Sequence, residues 1–238
     1  MTLTVCLQGN DGFVLASDSR GTFGDPRSVT AQNDTIKKVY LVRNVGILSA
    51  GGEQGNMIIE DVAKAVETEN INDATKIMEK IREVGRKRFN EWFPAFPFLP
   101  VPGQSTAFMR PQLQMIIAGY DVEEKKKIPR IYSMMSNYDF APNLHDFGFT
   151  LGGVPQYALY LLNRLYSRDM DVASLKHLAA YVVTETASQD GKVGGPVQMG
   201  VIPLDEEAHM INKEEIDSIV VENEKRSKEL RDLFRKRR

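Results

Sequence analysis

The chain is poor in the residues that staple or metallate small proteins. Its single cysteine, Cys6, excludes an internal disulfide framework and fits a reducing compartment, so a cytoplasmic location is expected. Of its three histidines, His145, His177 and His209, no two stand at metal-ligand spacing, which argues against a zinc site. No apolar run approaches the roughly 20 residues that span a bilayer. The N-terminus also lacks a basic segment followed by an apolar one. A soluble protein with no membrane partner is therefore expected. Charge of neither sign is in excess: 30 Lys and Arg face 32 Asp and Glu, a formal net of −2. Nothing in that balance asks for nucleic acid or an acidic surface. Repeats and low-complexity segments are missing too, and 238 residues suffice for one domain over 1–238 with a sizeable core.

What is present reads as strands and helix pairs. Leu3 to Gln8 and Phe13 to Ser19 are β-rich and flank Gly9-Asn10-Asp11-Gly12, a strong hairpin signal. A polar stretch from Gly21 to Asp34 is expected to interrupt the sheet. Thr35 to Val42 and Val45 to Ala50 form a second hairpin about Arg43-Asn44, ended by Gly51-Gly52. Met57, Ile58, Val62, Ala65 and Val66 recur at helical spacing, as do Ile77, Met78, Ile81 and Val84, with Asn72 or Asp73 able to cap the second helix. That helix should stop before Pro94, and residues 94–103 form a Pro-rich connector. Within it Phe93 to Phe98 is either a loop packed on its own domain or a partner patch.

Strands are then expected at Ser105 to Met109, Leu113 to Tyr120 and Arg130 to Met135. Gly152-Gly153 precedes a second helix pair, Pro155 to Tyr166 and Val172 to Thr186, the latter capped by Asp171. Val197 to Pro203 and His209 to Asn212 add two strands, and residues 213–238 form a charged helix. Runs of strands alternating with helix pairs predict an α/β (α+β) chain with two packed sheets covered by helices on both outer faces, a four-layer αββα sandwich.

Hairpin geometry brings chemical groups together. A two- or three-residue first loop places Thr2 opposite Ser19 or Asp18 respectively. The second hairpin places Lys38 opposite Ser49, with Gly51 just beyond. Adjacency of the two hairpins does not follow from this geometry.

The segments Thr2-Leu3-Thr4-Val5 and Asp11 to Arg20 resemble the opening of proteasome β-type subunits, which are N-terminal-nucleophile hydrolases. Lys37-Lys38-Val39, Ser49-Ala50-Gly51-Gly52 and Gln189-Asp190-Gly191 with Gly194-Gly195 continue the pattern in order over nearly the whole chain. The resemblance implies threonine-type endopeptidase activity, with an N-terminal-nucleophile amidohydrolase or acyl transferase and a non-catalytic ring subunit as alternatives. Thr2, freed of Met1 by an aminopeptidase, would be nucleophile, and its own α-amine the base. An α-amine with a pKa near 8 suits that work at neutral pH. Lys38 would lower the pKa of the Thr2 hydroxyl and amine, Asp18 would orient Lys38, Gly51 would donate its N–H to the oxyanion, and Asp190 would support the amine. Ser49 and Glu53 match residues lining the pocket for the substrate side chain before the cut.

The same resemblance implies a peptide or unfolded-protein substrate, a homo-oligomeric ring, a regulatory ATPase as candidate partner, and no metal or organic cofactor. Two positions depart from the family: Gly152 and Val193 stand where serines are usual. Serine introduced at either is expected to leave the fold intact. Taken singly, an Asp18–Lys38 contact would be a surface ion pair worth about 0–1 kcal/mol.

Overall fold

The computed structural model describes residues 2–25, 28–93, 111–124 and 126–235. In chain order the elements are β1 (Leu3–Gln8), β2 (Gly12–Ser17), β3 (Gly21–Asp25), β4 (Ser28–Asn33), β5 (Val39–Val42), β6 (Val45–Ala50), α1 (Gln54–Glu69) and α2 (Ala74–Trp92). Then come β7 (Gln114–Glu123), β8 (Lys126–Met135), β9 (Asn143–Leu144), β10 (Phe149–Gly153), α3 (Gln156–Leu165), α4 (Val172–Gln189), β11 (Gln198–Pro203), β12 (His209–Met210) and α5 (Lys213–Arg235). The chain is mixed α/β, with five α-helices and three antiparallel sheets among the described residues. No helix among them is long and apolar enough to cross a membrane.

The first sheet runs β10-β1-β2-β11-β12, a small second sheet is β3-β4, and the third runs β5-β6-β7-β8-β9. β1 and β2 close through a two-residue loop: Gln8 pairs Phe13, Thr4 pairs Ser17, and Gly9 N–H donates to Gly12 O at 2.8 Å. Extended by two residues, that register is the one that puts Thr2 opposite Ser19. In the second hairpin Val39 pairs Leu48, and Ser49 N–H donates to Lys38 O at 3.0 Å, the expected register.

Three apolar clusters hold these elements together. Val5, Leu7, Val14 and Ala16 of the first sheet pack on Leu162 of α3, Leu175, Ala179 and Val183 of α4 and Ile216 of α5. Ile47, Met115 and Ile117 of the third sheet pack on Ile58 and Val62 of α1 and on Ile77 and Ile81 of α2. Cys6, Phe13 and Leu15 meet Val39, Leu48, Ile116, Ala118 and Ile131 in the third cluster, which joins the two large sheets. Continuous apolar strands such as Val45 to Ala50 are thus buried on both faces. Burial pushes the Cys6 thiol pKa up, so this cysteine is a packing residue and no nucleophile.

Several expectations need correction. The stretch from Gly21 to Asp34 interrupts the large sheets as expected, but its residues form a separate two-stranded sheet, β3-β4, which was not expected. β5 is shorter than expected and starts at Val39, because the Lys38 N–H donates to the Gln198 side chain at 3.0 Å instead of joining a ladder. β10 has no counterpart among the expected strands, since two glycines close the run Phe149 to Gly153, yet it pairs with β1 from Leu7 to Leu3. Asp171 caps α4 as expected, accepting from Ser174 N at 2.8 Å. Asp73 stands at the start of α2 but accepts from Val122 N at 3.1 Å and so ties the helix to β7. Phe93 stacks on Phe89 at 4.9 Å. The rest of the Pro-rich connector, the strand expected at 105–109, Met1 and residues 236–238 lie outside the described residues.

Gly46 shows how closely the large sheets approach: a Cβ there would come within 2.6 Å of Leu15 Cδ2 and 3.1 Å of Ile202 Cδ1. Leu15→Ala should cost about 2–5 kcal/mol through the cavity it leaves, and Gly46→Ala about 1–3 kcal/mol through overpacking. In the double variant the methyl added at position 46 enters the vacated space. Urea unfolding should therefore show a loss smaller than the sum of the two.

Candidate active site

Asp18 follows the last ladder residue of β2 and is fully buried, as is almost all of the Lys38 side chain. Lys38 Nζ donates to Asp18 Oδ1 and to Arg20 O, each at 2.7 Å. Asp18 Oδ1 also accepts the Leu3 N–H at 3.0 Å, while Oδ2 accepts the N–H of Gly194 at 3.0 Å and of Arg20 at 3.2 Å. One carboxylate thus draws on four donors, the number its oxygens can accommodate. Taken singly the contact would be a surface pair; in the structure it is buried. Burial pulls the Lys38 pKa below the ordinary lysine value, and the charge and hydrogen bond of Asp18 oppose that shift.

A cavity of about 500 Å³ opens beside this pair. Its lining includes Thr2, Lys38, Ser49, Gly51 and Glu53, so five of the seven expected site residues meet at one place. Thr2 precedes β1, and its carbonyl accepts the Val154 N–H at 2.8 Å. Gly51 has φ +121°, and a Cβ on it would sit 2.3 Å from Gln112 O, so no larger residue fits this turn. Ser49 is buried on β6 against Gly55, whose would-be Cβ lies 2.2 Å from Ser49 Oγ. Glu53 is exposed at the start of α1.

Asp18 stands behind Lys38 and is not part of the cavity wall. Asp190 is not part of it either. Its carboxylate accepts the Lys192 N–H at 2.9 Å, and its backbone ends α4 and turns the following loop. What that loop brings to the site is Gly194, through the N–H bonded to Asp18.

Sequence reasoning missed three contributors. Arg20 supplies the second acceptor for Lys38, and its guanidinium is held by Asp34 at 2.8 Å. Gln198 fixes the Lys38 backbone. Gln114 lines the cavity beside Thr2. Only Arg20 lay within a quoted motif, and the other two have no local signal. None of the three histidines lines the cavity.

The two departures from the family pattern are built into the packing. Val193 is fully buried in the cluster of the first sheet and α4, so serine there would lose apolar contacts and bury a hydroxyl. A Cβ on Gly152 would lie 2.4 Å from Thr4 Oγ1 and 3.1 Å from Gln114 Oε1. Serine at either position is therefore expected to cost stability.

The fold and cavity together define a mixed α/β chain in which two packed antiparallel sheets enclose a site at their ends. Solved structures similar to this chain in fold include Anbu proteins. The (Gly-1) mutant from Hyphomicrobium sp. strain MC1 has a TM-score of 0.74 at 16% identity, over 100% of this chain and 98% of that one. Anbu from Yersinia bercovieri, described as an ancestral beta-subunit, has a TM-score of 0.67 at 18% identity, over 98% and 97%. A further Hyphomicrobium structure has 0.70 at 16% identity, over 99% and 98%. At these identities the likeness shows the fold, and it agrees at that level with the proteasome β-type resemblance. No family model and no curated protein matches the chain.

The buried pair makes a direct prediction. Asp18→Ala strands a buried ammonium and should cost about 3–5 kcal/mol in denaturant unfolding. The double variant with Lys38→Met, which removes both charges, should recover part of that loss. Val193→Ser should cost about 2–3 kcal/mol in the same titration, from lost transfer energy and an unpaired hydroxyl.

Proposed function

We propose that the chain is a threonine-type endopeptidase of the N-terminal-nucleophile class. It would be a single domain built as a four-layer αββα sandwich, working in the cytoplasm within a homo-oligomeric ring. The observation that carries this reading is that Thr2 and Lys38 line one cavity with Gly51 in its wall, while buried Asp18 holds Lys38. After removal of Met1, the Thr2 hydroxyl attacks a peptide carbonyl, and its proton passes to the free α-amine of the same residue, through a water. The Lys38 charge favours loss of the hydroxyl proton and keeps the amine unprotonated. Gly51 N–H receives the oxyanion of the tetrahedral intermediate. The α-ammonium then protonates the leaving amine, and water hydrolyses the acyl ester on Thr2.

Ser49 and Glu53 would line the pocket for the side chain before the cut. A small Ser49 and an acidic Glu53 favour a basic residue there. Asp190, whose carboxylate also accepts the Lys192 N–H, would support the Thr2 amine. Substrates would be peptides or unfolded proteins, delivered by a regulatory ATPase, with no nucleic acid, membrane, metal or organic cofactor involved. The absence of serine at positions 152 and 193, where packing disfavours it, favours a second reading, an amidohydrolase or acyl transferase on a non-protein amide with the same nucleophile.

Intact-mass measurement on protein from its native host should show loss of Met1, and light scattering should give a mass several times 26.8 kDa. A peptide epoxyketone should then add to Thr2, because its ring adduct needs both the hydroxyl and the free amine. Thr2→Ala should abolish the adduct, Lys38→Ala should suppress it nearly as far, and Asp18→Asn should fall between. Retained Met1, or no adduct on processed and assembled protein, would move the assignment to a non-catalytic ring subunit. Adduct formation without peptide cleavage would favour the second reading.

A further inference from the structure

Resting on the nucleophile reading above, we propose that Gln114 is a positioning residue for Thr2. Gln114 opens β7 in the third sheet, where it pairs with Ala50 and Met135. Its side chain crosses to the first sheet. Gln114 Oε1 accepts the Gly153 N–H, and Nε2 donates to Leu151 O, both at 3.2 Å. β10 is an edge strand, paired with β1 alone.

In a strand, the carbonyl of one residue and the N–H two residues on point to the same side. The primary amide of Gln114 therefore occupies the open edge of β10 as one residue of a neighbouring parallel strand would, giving one donor and one acceptor. That side chain is one polar link between the two large sheets at the cavity, beside the Lys38–Asp18 contact.

The segment it holds is the one that carries Thr2. Gly153 has φ +83°, and a Cβ on it would lie 1.7 Å from Thr2 O, so backbone presses directly on backbone there. The next residue, Val154, donates its N–H to Thr2 O at 2.8 Å. Thr2 stands outside the β1 ladder, so this contact and the Leu3 N–H bond to Asp18 are its anchors among the described residues. The amide also fills space beside Gly152, which a serine side chain would need.

Both halves of the amide are required. Leucine at this position supplies neither donor nor acceptor. Ionised glutamate supplies acceptors only and sets a charge against Leu151 O, whereas protonated glutamate regains an O–H donor beside a carbonyl acceptor.

The test uses assembled protein lacking Met1 and follows epoxyketone inactivation with pH. Gln114→Leu should lower the maximal inactivation rate about 10-fold or more with little change in the half-saturating concentration, since a nucleophile displaced by a fraction of an ångström loses rate before affinity. Gln114→Glu should be slow near neutral pH and recover, relative to wild type, as pH falls and its carboxyl takes a proton. Amide hydrogen exchange at Gly153 and Val154 should rise about 10-fold in Gln114→Leu, while exchange in α1 and α2 stays as in wild type. Wild-type rates in Gln114→Leu, or a glutamate variant whose ratio to wild type is flat with pH, would overturn the proposal. Should wild type itself form no adduct, the nucleophile reading fails. The exchange measurement then decides alone, and unchanged exchange at Val154 refutes the positioning role.

Discussion

The carboxylate of Asp18 is the constraint on which the rest of the site depends. A buried anion is tolerable only when its lone pairs are occupied, and leaving one unmatched costs several kcal/mol. Its four donors come from the start of β1, the turn after β2, the approach to β5 and the loop before β11. None of these segments can drift without stranding the charge. The need to satisfy one side chain thereby sets the position of Lys38, of the chain start and of the distal glycine loop. Such a network rigidifies the cavity wall because it is satisfied throughout.

Around that anchor, the large sheets are held in two ways. Apolar packing joins them in the interior, close enough that Gly46 has room for no side chain against Leu15. At the cavity, polar links join them, among them the Gln114 amide on the edge of β10 and the Lys38–Asp18 pair. The cavity lies between these regimes, with Thr2 and Gly153 from the first sheet on one side and Ser49 to Glu53 from the third on the other. A reacting group placed there is supported by both sheets, the arrangement a fixed nucleophile requires.

Much of this was legible in the chain alone. Gly9 to Gly12 and Arg43-Asn44 dictate hairpins, and hairpin loops dictate register. The Lys38–Ser49 pairing and the two choices for Thr2 could therefore be written down from residue order. The Asp171 cap of α4 and the helical spacing of α1 and α2 were equally local. The errors fell where local signals are weak. β10 ends in two glycines and draws its ladder from β1, while the polar β3–β4 hairpin shows little apolar alternation.

By itself the residue order determined the Lys38–Ser49 register and two choices for Thr2, while the resemblance to proteasome β-type subunits singled out Thr2, Asp18, Lys38 and Gly51 as candidates. The registers follow from short-range rules that act within one hairpin. Only the tertiary structure decided that the Asp18–Lys38 pair is buried instead of exposed, and that the Gly194 N–H reaches Asp18. It also decided that Val193 belongs to the core and that Gln114 bridges the sheets. Each of those facts concerns residues far apart in the chain, and their meeting depends on how whole sheets pack. Packing is set by the summed burial of dozens of side chains, and no local pattern encodes it.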